Sequence, residues 1–361
     1  MLNYSERMEI LDDVGAVYLM MGPACNMTCR HCTQTPIKNT LSLSPCGGDL
    51  SPEVIDFVEK WAALPWRFTG QQRRFYFWGG EPLLYWEKIK KLIIDFEERG
   101  VKNVSWRIFS NGLLLNDEIA DFCNVHDAWF IMSHDAPNPL AVRNAVPSEE
   151  NCKSFLKIKK RTVNTVFSAL NNDMVQAFTM LAEKFPDTEI SCGFINVLSK
   201  MPQDIYVFAP GIVKNAVQNL AMYARKGNED ALRWFLKKLG RSAFWNKEEF
   251  KDYPWPPCRP GLCSLSINFK GDVLRCHNDS KVLGSITEPF TVLQQRHLEE
   301  WRKLLPKGCL DCKHVNMCRC ICPIALKTEN NQELIYCDYL KDFWQAIKDE
   351  AVTKGGVDNG K

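Results

Sequence analysis

The chain has 361 residues, with 45 basic and 43 acidic side chains and a formal net charge of +2. Apolar residues make up 45% and charged residues 24%, an ordinary balance for a folded globular protein. Near-neutrality argues against a large nucleic-acid surface, no apolar run approaches the ~20 residues of a membrane span, and residues 1–14 carry four acids and no signal-peptide pattern. A cytoplasmic protein is expected. The 16 cysteines would mean disulfides in a small secreted domain, but in a large cytoplasmic chain they point to metal or redox chemistry.

In chain order, residues 16–22 form an apolar strand that ends just before Cys25, Cys29 and Cys32. Ser51 and Pro52 then open a helix, with Val54, Phe57, Val58 and Trp61 at helical spacing. Strands are expected at 74–78, 104–109, 128–133, 163–170 and 189–197, and helices at 83–100, 117–123 and 173–185. This alternation predicts an α/β fold with a parallel sheet. Polar and glycine-rich residues gather just after the strand ends, where α/β barrels keep their active sites. Residues 211–251 read as helical, and the proline-rich run 253–260 marks the entry to a cysteine-rich region. Nine cysteines fall between Cys258 and Cys337.

The run Cys25-x3-Cys29-x2-Cys32 places three thiols on one short loop. Three thiolates can hold three irons of a cubane cluster and leave the fourth iron open, whereas closed iron–sulfur sites use four. A zinc knuckle is the alternative, although zinc sites usually pair two short Cys/His units. The spacing resembles the signature of the radical S-adenosylmethionine (SAM) superfamily. That resemblance implies a partial (β/α)6 barrel, a four-iron, four-sulfur cluster that binds SAM, and reductive cleavage of SAM to a 5′-deoxyadenosyl radical. Gly79-Gly80-Glu81-Pro82 follows the second strand. The glycines allow close backbone approach and the glutamate can accept from an ammonium group; in the family this motif holds the amino group of SAM. The resemblance further assigns Ser110, Asn111 and Ser133 to the ribose and carboxylate of SAM, and Arg143 to the carboxylate. It sets His31 beside the adenine and Gly193-Phe194-Ile195 at its edge. Residues 133–136 read Ser-His-Asp-Ala where many relatives have Ser-Ile-Asp-Gly, a departure that bears on the loop's geometry.

The C-terminal cysteines resemble the SPASM extension of radical SAM enzymes. Family topology implies two auxiliary 4Fe–4S clusters, one on Cys258, Cys263, Cys276 and Cys322, the other on Cys309, Cys312, Cys318 and Cys337. Cys320 is left over. Two zinc sites are the alternative. The expected organisation is an N-terminal extension (1–14), a radical SAM core (15–210), a helical bridge (211–252), a SPASM domain (253–341), and a helix end with a disordered tail (342–361).

Taken together, the resemblance implies an enzyme that abstracts hydrogen from a substrate, with a ribosomally made peptide or protein side chain leading. Crosslinking, epimerisation and oxidation are the candidate outcomes. Only some fifteen residues precede the first strand, so a separate leader-binding protein is a candidate partner, beside a flavodoxin- or ferredoxin-type electron donor. The alternatives are the same chemistry on a small molecule and a non-catalytic iron–sulfur carrier or scaffold. Asp204, Tyr206, Tyr253 and Trp255 are candidate linings of the substrate opening. Cys123, Cys152 and Cys192 read as buried apolar residues, and Cys46 as an exposed one.

Overall fold

The computed structural model describes residues 14–34, 49–64, 71–195, 201–242, 260–305, 307–309, 311–312 and 332–355. Cys46, Tyr253, Trp255, Cys258, Cys318, Cys320 and Cys322 lie outside them. Six strands, β1 (Ala16–Met20), β2 (Arg73–Trp78), β3 (Val104–Ser110), β4 (Trp129–Ser133), β5 (Arg161–Phe167) and β6 (Glu189–Phe194), pair in parallel in sequence order. Between them run α1 (Pro52–Ala63), α2 (Trp86–Glu98), α3 (Asp117–Val125), α4 (Glu149–Lys157) and α5 (Met174–Lys184). Parallel crossovers are right-handed, and here the strand order never reverses. The helices therefore stack on one face, as in a barrel, rather than on both faces as in a doubly wound sheet.

The strands' two faces have different chemistry. Val17, Leu19, Phe75, Phe77, Trp106, Ile108, Phe130 and Met132 point outward into one core with the apolar stripes of the helices. Alternate residues, among them Tyr18, Tyr76, Phe109, Trp129 and Ile131, point inward and form a second, separate cluster. Local signals set the helix starts. Ser51 caps α1, Asn116 caps α3 and Asp173 caps α5, each accepting from a backbone N–H three residues on. The sequence reading missed α4. Its run is polar apart from Cys152, Phe155 and Leu156, and the capping box between Ser148 and Asn151 was its one strong local sign.

The cysteine-rich region does not begin a separate sheet. Its strand β7 (Ser264–Ile267) pairs in parallel with β1, and β8 (Asp272–Cys276) and β9 (Asp279–Ser285) continue antiparallel, giving nine strands in the order β6-β5-β4-β3-β2-β1-β7-β8-β9. Without β7, β1 would be an open edge. In the bridge, α6 (Ile212–Arg225) and α7 (Glu229–Ser242) are helical as expected. After α8 (Phe290–Leu304), α9 (Gln332–Gly355) runs well into the stretch 342–361 expected as a helix end and tail. It buries Leu340, Phe343, Trp344 and Ile347 in the main core. No helix among the described residues is long and apolar enough to cross a membrane.

His134, the departure noted in the sequence, faces the helical layer. Its ring meets Phe185 edge-on at 5.4 Å. Nδ1 lies 3.1 Å from the Asp135 carbonyl, so it donates, and Nε2 lies 3.1 Å from Lys184 Nζ, so it accepts. Both partners require the neutral ring. Burial first, and the Lys184 charge second, hold its pKa down at about 4 against an ordinary 6.5. The unfolded chain takes up a proton near pH 6.5 while the folded chain refuses it until about pH 4. Stability is thus intact above pH 6.5 and falls between those values, by about 2 kcal/mol from pH 7 to pH 5. Replacing His134 with Ile is expected to remove that acid-side loss, read as the difference in denaturant midpoint between the two proteins at pH 7 and pH 5; parallel pH profiles would refute it.

Candidate active site at the C-terminal ends of the strands

The three cysteines sit on the loop after β1, all partly exposed. The Met27 N–H points at Cys25 Sγ at 3.4 Å, and Cys32 N donates to the Cys29 carbonyl at 3.2 Å. Burial, opposed by Arg143 and helped by the neighbouring thiols Cys32 and Cys25, raises the Cys29 pKa to about 11. A guanidinium nitrogen of Arg143 lies 3.9 Å from Cys29 Sγ. This loop is seated on the segment after β2. Gly80 N donates to the Gly22 carbonyl and Glu81 N to the Ala24 carbonyl, both at 2.8 Å. The approach is so close that a Cβ on Gly80 would stand 2.1 Å from the Ala24 oxygen, and one on Gly79, at φ +140°, 2.5 Å from the Gly22 oxygen. The glycines therefore admit the backbone of the cysteine loop.

Glu81 is 1% exposed. One carboxylate oxygen accepts from Leu83 N at 3.0 Å and Ser110 Oγ at 2.8 Å, and the other from Asn111 N at 2.8 Å. Burial raises its pKa despite those bonds and the Arg143 charge nearby. Asn111 reaches back to the cysteine loop through Nδ2 to Asn26 Oδ1 at 2.7 Å. The side chain of Glu81 is thus a strut between β2 and β3, and Pro82 begins the 3-10 turn beneath it.

A second buried carboxylate, which the sequence reading quoted only within a motif, organises the other side. Asp135 is fully buried. It takes Arg143 Nε at 2.6 Å and the Val166 N–H at 2.9 Å, and lies 3.3 Å from His31 Nε2. Arg143 and His31 are therefore brought together, and the His–Asp–Ala departure leaves Asp135 in place. Burial lowers the His31 pKa, with Asp135 opposing. The segment around Arg143 also grips the cysteine loop. Thr28 N donates to Asn144 Oδ1 at 2.8 Å, Arg30 N to the Val142 carbonyl at 2.9 Å, and the Arg30 guanidinium to Asp204 at 2.6 Å.

Ser133 closes β4 opposite Asn164. Gly193 has open space where a Cβ would be, while Phe194 packs with Phe167, Phe208 and Phe343, and Ile195 is buried. Tyr206 is 1% exposed and belongs to the core, so it does not line an opening. Asp204 is held by Arg30 at the cysteine loop.

Two of the C-terminal cysteines converge. Cys276 is buried with Leu262, Leu298, Trp301 and Leu304, and Cys263 packs against that group. On the other side, Cys312 N donates to the Cys309 carbonyl at 3.3 Å, and Cys312 and Cys337 both act on the charge of Lys341. Gln34, two residues past Cys32, donates to the His277 carbonyl at 2.9 Å and to Asn278 Oδ1 at 2.7 Å, a link between the two cysteine regions that spacing alone could not reveal.

Among the described residues no three potential ligands are drawn together in metal-binding geometry. The donor set nevertheless fits an iron–sulfur cluster at the first loop, because three coupled thiols share one turn with an N–H and a guanidinium aimed at sulfur. Comparison with known proteins agrees. Residues 19–195 match the model of the radical SAM superfamily. The radical SAM cyclopropyl synthase TigE of Paramaledivibacter caminithermalis is 21% identical over 92% of this chain and 72% of its own. Native anSMEcpe with bound AdoMet superposes with a TM-score of 0.65 at 18% identity, covering 94% of this chain and 98% of that one. Streptococcus suis SuiB bound to its precursor peptide SuiA gives 0.60 at 14% identity, over 89% and 74%. With the three-cysteine loop, the glycine-seated Glu81 strut and the in-order parallel sheet all present, residues 19–195 form a radical SAM domain.

Proposed function

We propose that this is a radical SAM enzyme of the SPASM type that modifies a ribosomally made peptide. The observation that carries the reading is the closed ring at the strand ends, in which the cysteine loop, Glu81 and Asn111 are bonded to one another. Cys25, Cys29 and Cys32 would hold three irons of the cluster. With Glu81 occupied by internal donors, the backbone of residues 79–81 is left to face the amino group of SAM. Arg143, aimed by Asp135, suits the SAM carboxylate through its forked donors. Ser110, Asn111 and Ser133 lie at the strand ends for the ribose, and buried His31 offers a flat face for the adenine. When bound, the cluster and SAM supply one-electron chemistry that ends in hydrogen-atom abstraction from substrate.

Two auxiliary clusters extend the reading. Cys263 and Cys276 already share one pocket, and with Cys258 and Cys322 would complete one site; Cys309, Cys312 and Cys337 would join Cys318 in the other. Four thiolates each would leave no open iron, so these clusters carry electrons or hold the region together. A peptide substrate is supported by neighbours of the same fold, since SuiB is bound to a precursor peptide and anSMEcpe to the Cp18Cys peptide. A separate leader-binding protein, a small electron donor and a cytoplasmic setting belong to the same proposal.

Anaerobic reconstitution tests it. Three clusters predict about twelve irons per chain, falling to about eight in the Cys25/Cys29/Cys32→Ala triple variant with deoxyadenosine release from SAM abolished. Zinc at the C-terminal cysteines, or release that survives the substitution, would overturn the assignment. Gly80→Ala is a finer probe. Its Cβ would stand 2.1 Å from the Ala24 oxygen, and displacing the cysteine loop should cut deoxyadenosine release by about tenfold or more, while the C-terminal iron stays bound. An unchanged rate would show that this contact does not position the chemistry.

A further inference from the structure

The inward face of the sheet carries a row that the SAM site does not use. Tyr18 of β1, Tyr76 of β2, Arg107 of β3 and Trp129 of β4 are register partners across four strands. Tyr18 stacks on Tyr76 at 4.5 Å and on His277 at 4.4 Å. Arg107 takes the next place, its guanidinium carbon 4.7 Å from the Trp129 ring centre and 5.8 Å from that of Tyr76. One level toward the strand ends, Trp78 meets Phe109 edge-on at 4.5 Å. Tyr18, Trp78, Phe109 and Trp129 remain only partly buried although they lie within the sheet. A half-open aromatic patch in the middle of a fold marks a surface for a ligand.

Arg107 is the odd member of that row. It is half-buried, and its Nε is buried with no hydrogen-bond partner among the described residues. The Tyr76 hydroxyl lies within hydrogen-bonding reach of its guanidinium, and burial pulls the Arg107 pKa down. The carboxylate that acts on it, Glu189, is already engaged by Lys237 Nζ at 3.2 Å and by the Thr162 hydroxyl at 3.4 Å. Thr162 in turn accepts from Trp129 Nε1 at 2.8 Å, which fixes the ring on which Arg107 lies. Arg74, on the same face one pair nearer the strand starts, adds a second positive charge. A planar guanidinium with a free Nε–H, laid on aromatic rings, is shaped for bidentate capture of a carboxylate.

We infer that Arg107 and its aromatic neighbours form a subsite for a carboxylate of the peptide substrate. The inference rests on the peptide-modifying reading above. Arg107 lies four residues below Asn111 on β3, about 13 Å at strand spacing. That span exceeds a single amino acid and matches about three or four extended residues. The substrate is therefore an acidic peptide whose Asp, Glu or C-terminal carboxylate lies about three or four residues from the one that reacts at the strand ends.

The test uses the reconstituted holoenzyme with SAM and two fluorescently labelled tetrapeptides, Phe-Ala-Ala-Glu-amide and Phe-Ala-Ala-Gln-amide, titrated by anisotropy. The glutamate peptide should bind about tenfold or more tightly than its neutral twin. Arg107→Gln should erase that preference and leave the affinity for the neutral peptide unchanged. Spectra of arginine-labelled wild-type protein give a readout that needs no variant, because the Arg107 Nε–H signal should shift with the glutamate peptide alone. Equal binding of the two peptides, binding of neither at millimolar concentration, or a preference that survives Arg107→Gln overturns the subsite. Deoxyadenosine release, assayed on the same samples, separates the two proposals. Equal binding of the two peptides by the wild-type enzyme with intact release sinks only the subsite, and absent release with an intact wild-type preference sinks only the enzymatic reading.

Discussion

The site depends on a contact that no side chain could enter. The backbone of residues 22–24 lies directly on that of residues 79–81, with two 2.8 Å hydrogen bonds and no room for a Cβ at either glycine. This fixes the cysteine loop against the end of β2. Glu81 then carries the constraint to β3 through Ser110 and Asn111, and Asn111 returns it to the loop at Asn26. Three strand ends are thereby tied into one ring, so the thiols keep a set position relative to the sheet. Alternation along the strands alone would leave that position undefined.

Two buried carboxylates follow from this arrangement, and each is tolerable for a different reason. Glu81 is surrounded by neutral donors, and its raised pKa is the mark of the burial those donors only partly offset. Asp135 instead faces a guanidinium at 2.6 Å together with a backbone N–H at 2.9 Å. A buried pair of this kind is a weak source of stability but a strong source of orientation, because removing either partner leaves an unpaired charge. Arginine suits the role better than lysine. Its Nε is committed to Asp135 while a terminal nitrogen reaches toward Cys29. The pair thus links the end of β4 to the cysteine loop.

Most of the parallel sheet was legible in the sequence because apolar runs alternate with helical stripes and end in Gly, Asn or Ser. The candidate site residues stood out because polar and glycine-rich positions gather at those ends. What stayed hidden depended on distant partners. The helix α4 has little apolar stripe of its own, and β7 becomes a strand because β1 offers it an edge. Tyr206 looks like a rim residue in the chain and is core in the fold. Asp135 was visible as a letter in a motif, but its value lies in Arg143, His31 and Val166, which arrive from three other segments.

The inward face explains why one short strand can serve both stability and recognition. In β3 the outward residues Trp106 and Ile108 are buried against helices, while Arg107 and Phe109 look inward from between them. A period of two separates the two tasks residue by residue. The same logic extends to the added strands. Asn278, just past β8, accepts from Gln34 beside the first cysteine loop, and its N–H points at Cys276 Sγ at 3.3 Å. Cys32 and Cys276 each lie two residues from that shared contact. A shift of either cysteine region must therefore break a partly buried hydrogen bond or carry the other region along, which makes the nine-stranded sheet the common frame for both sets of thiols.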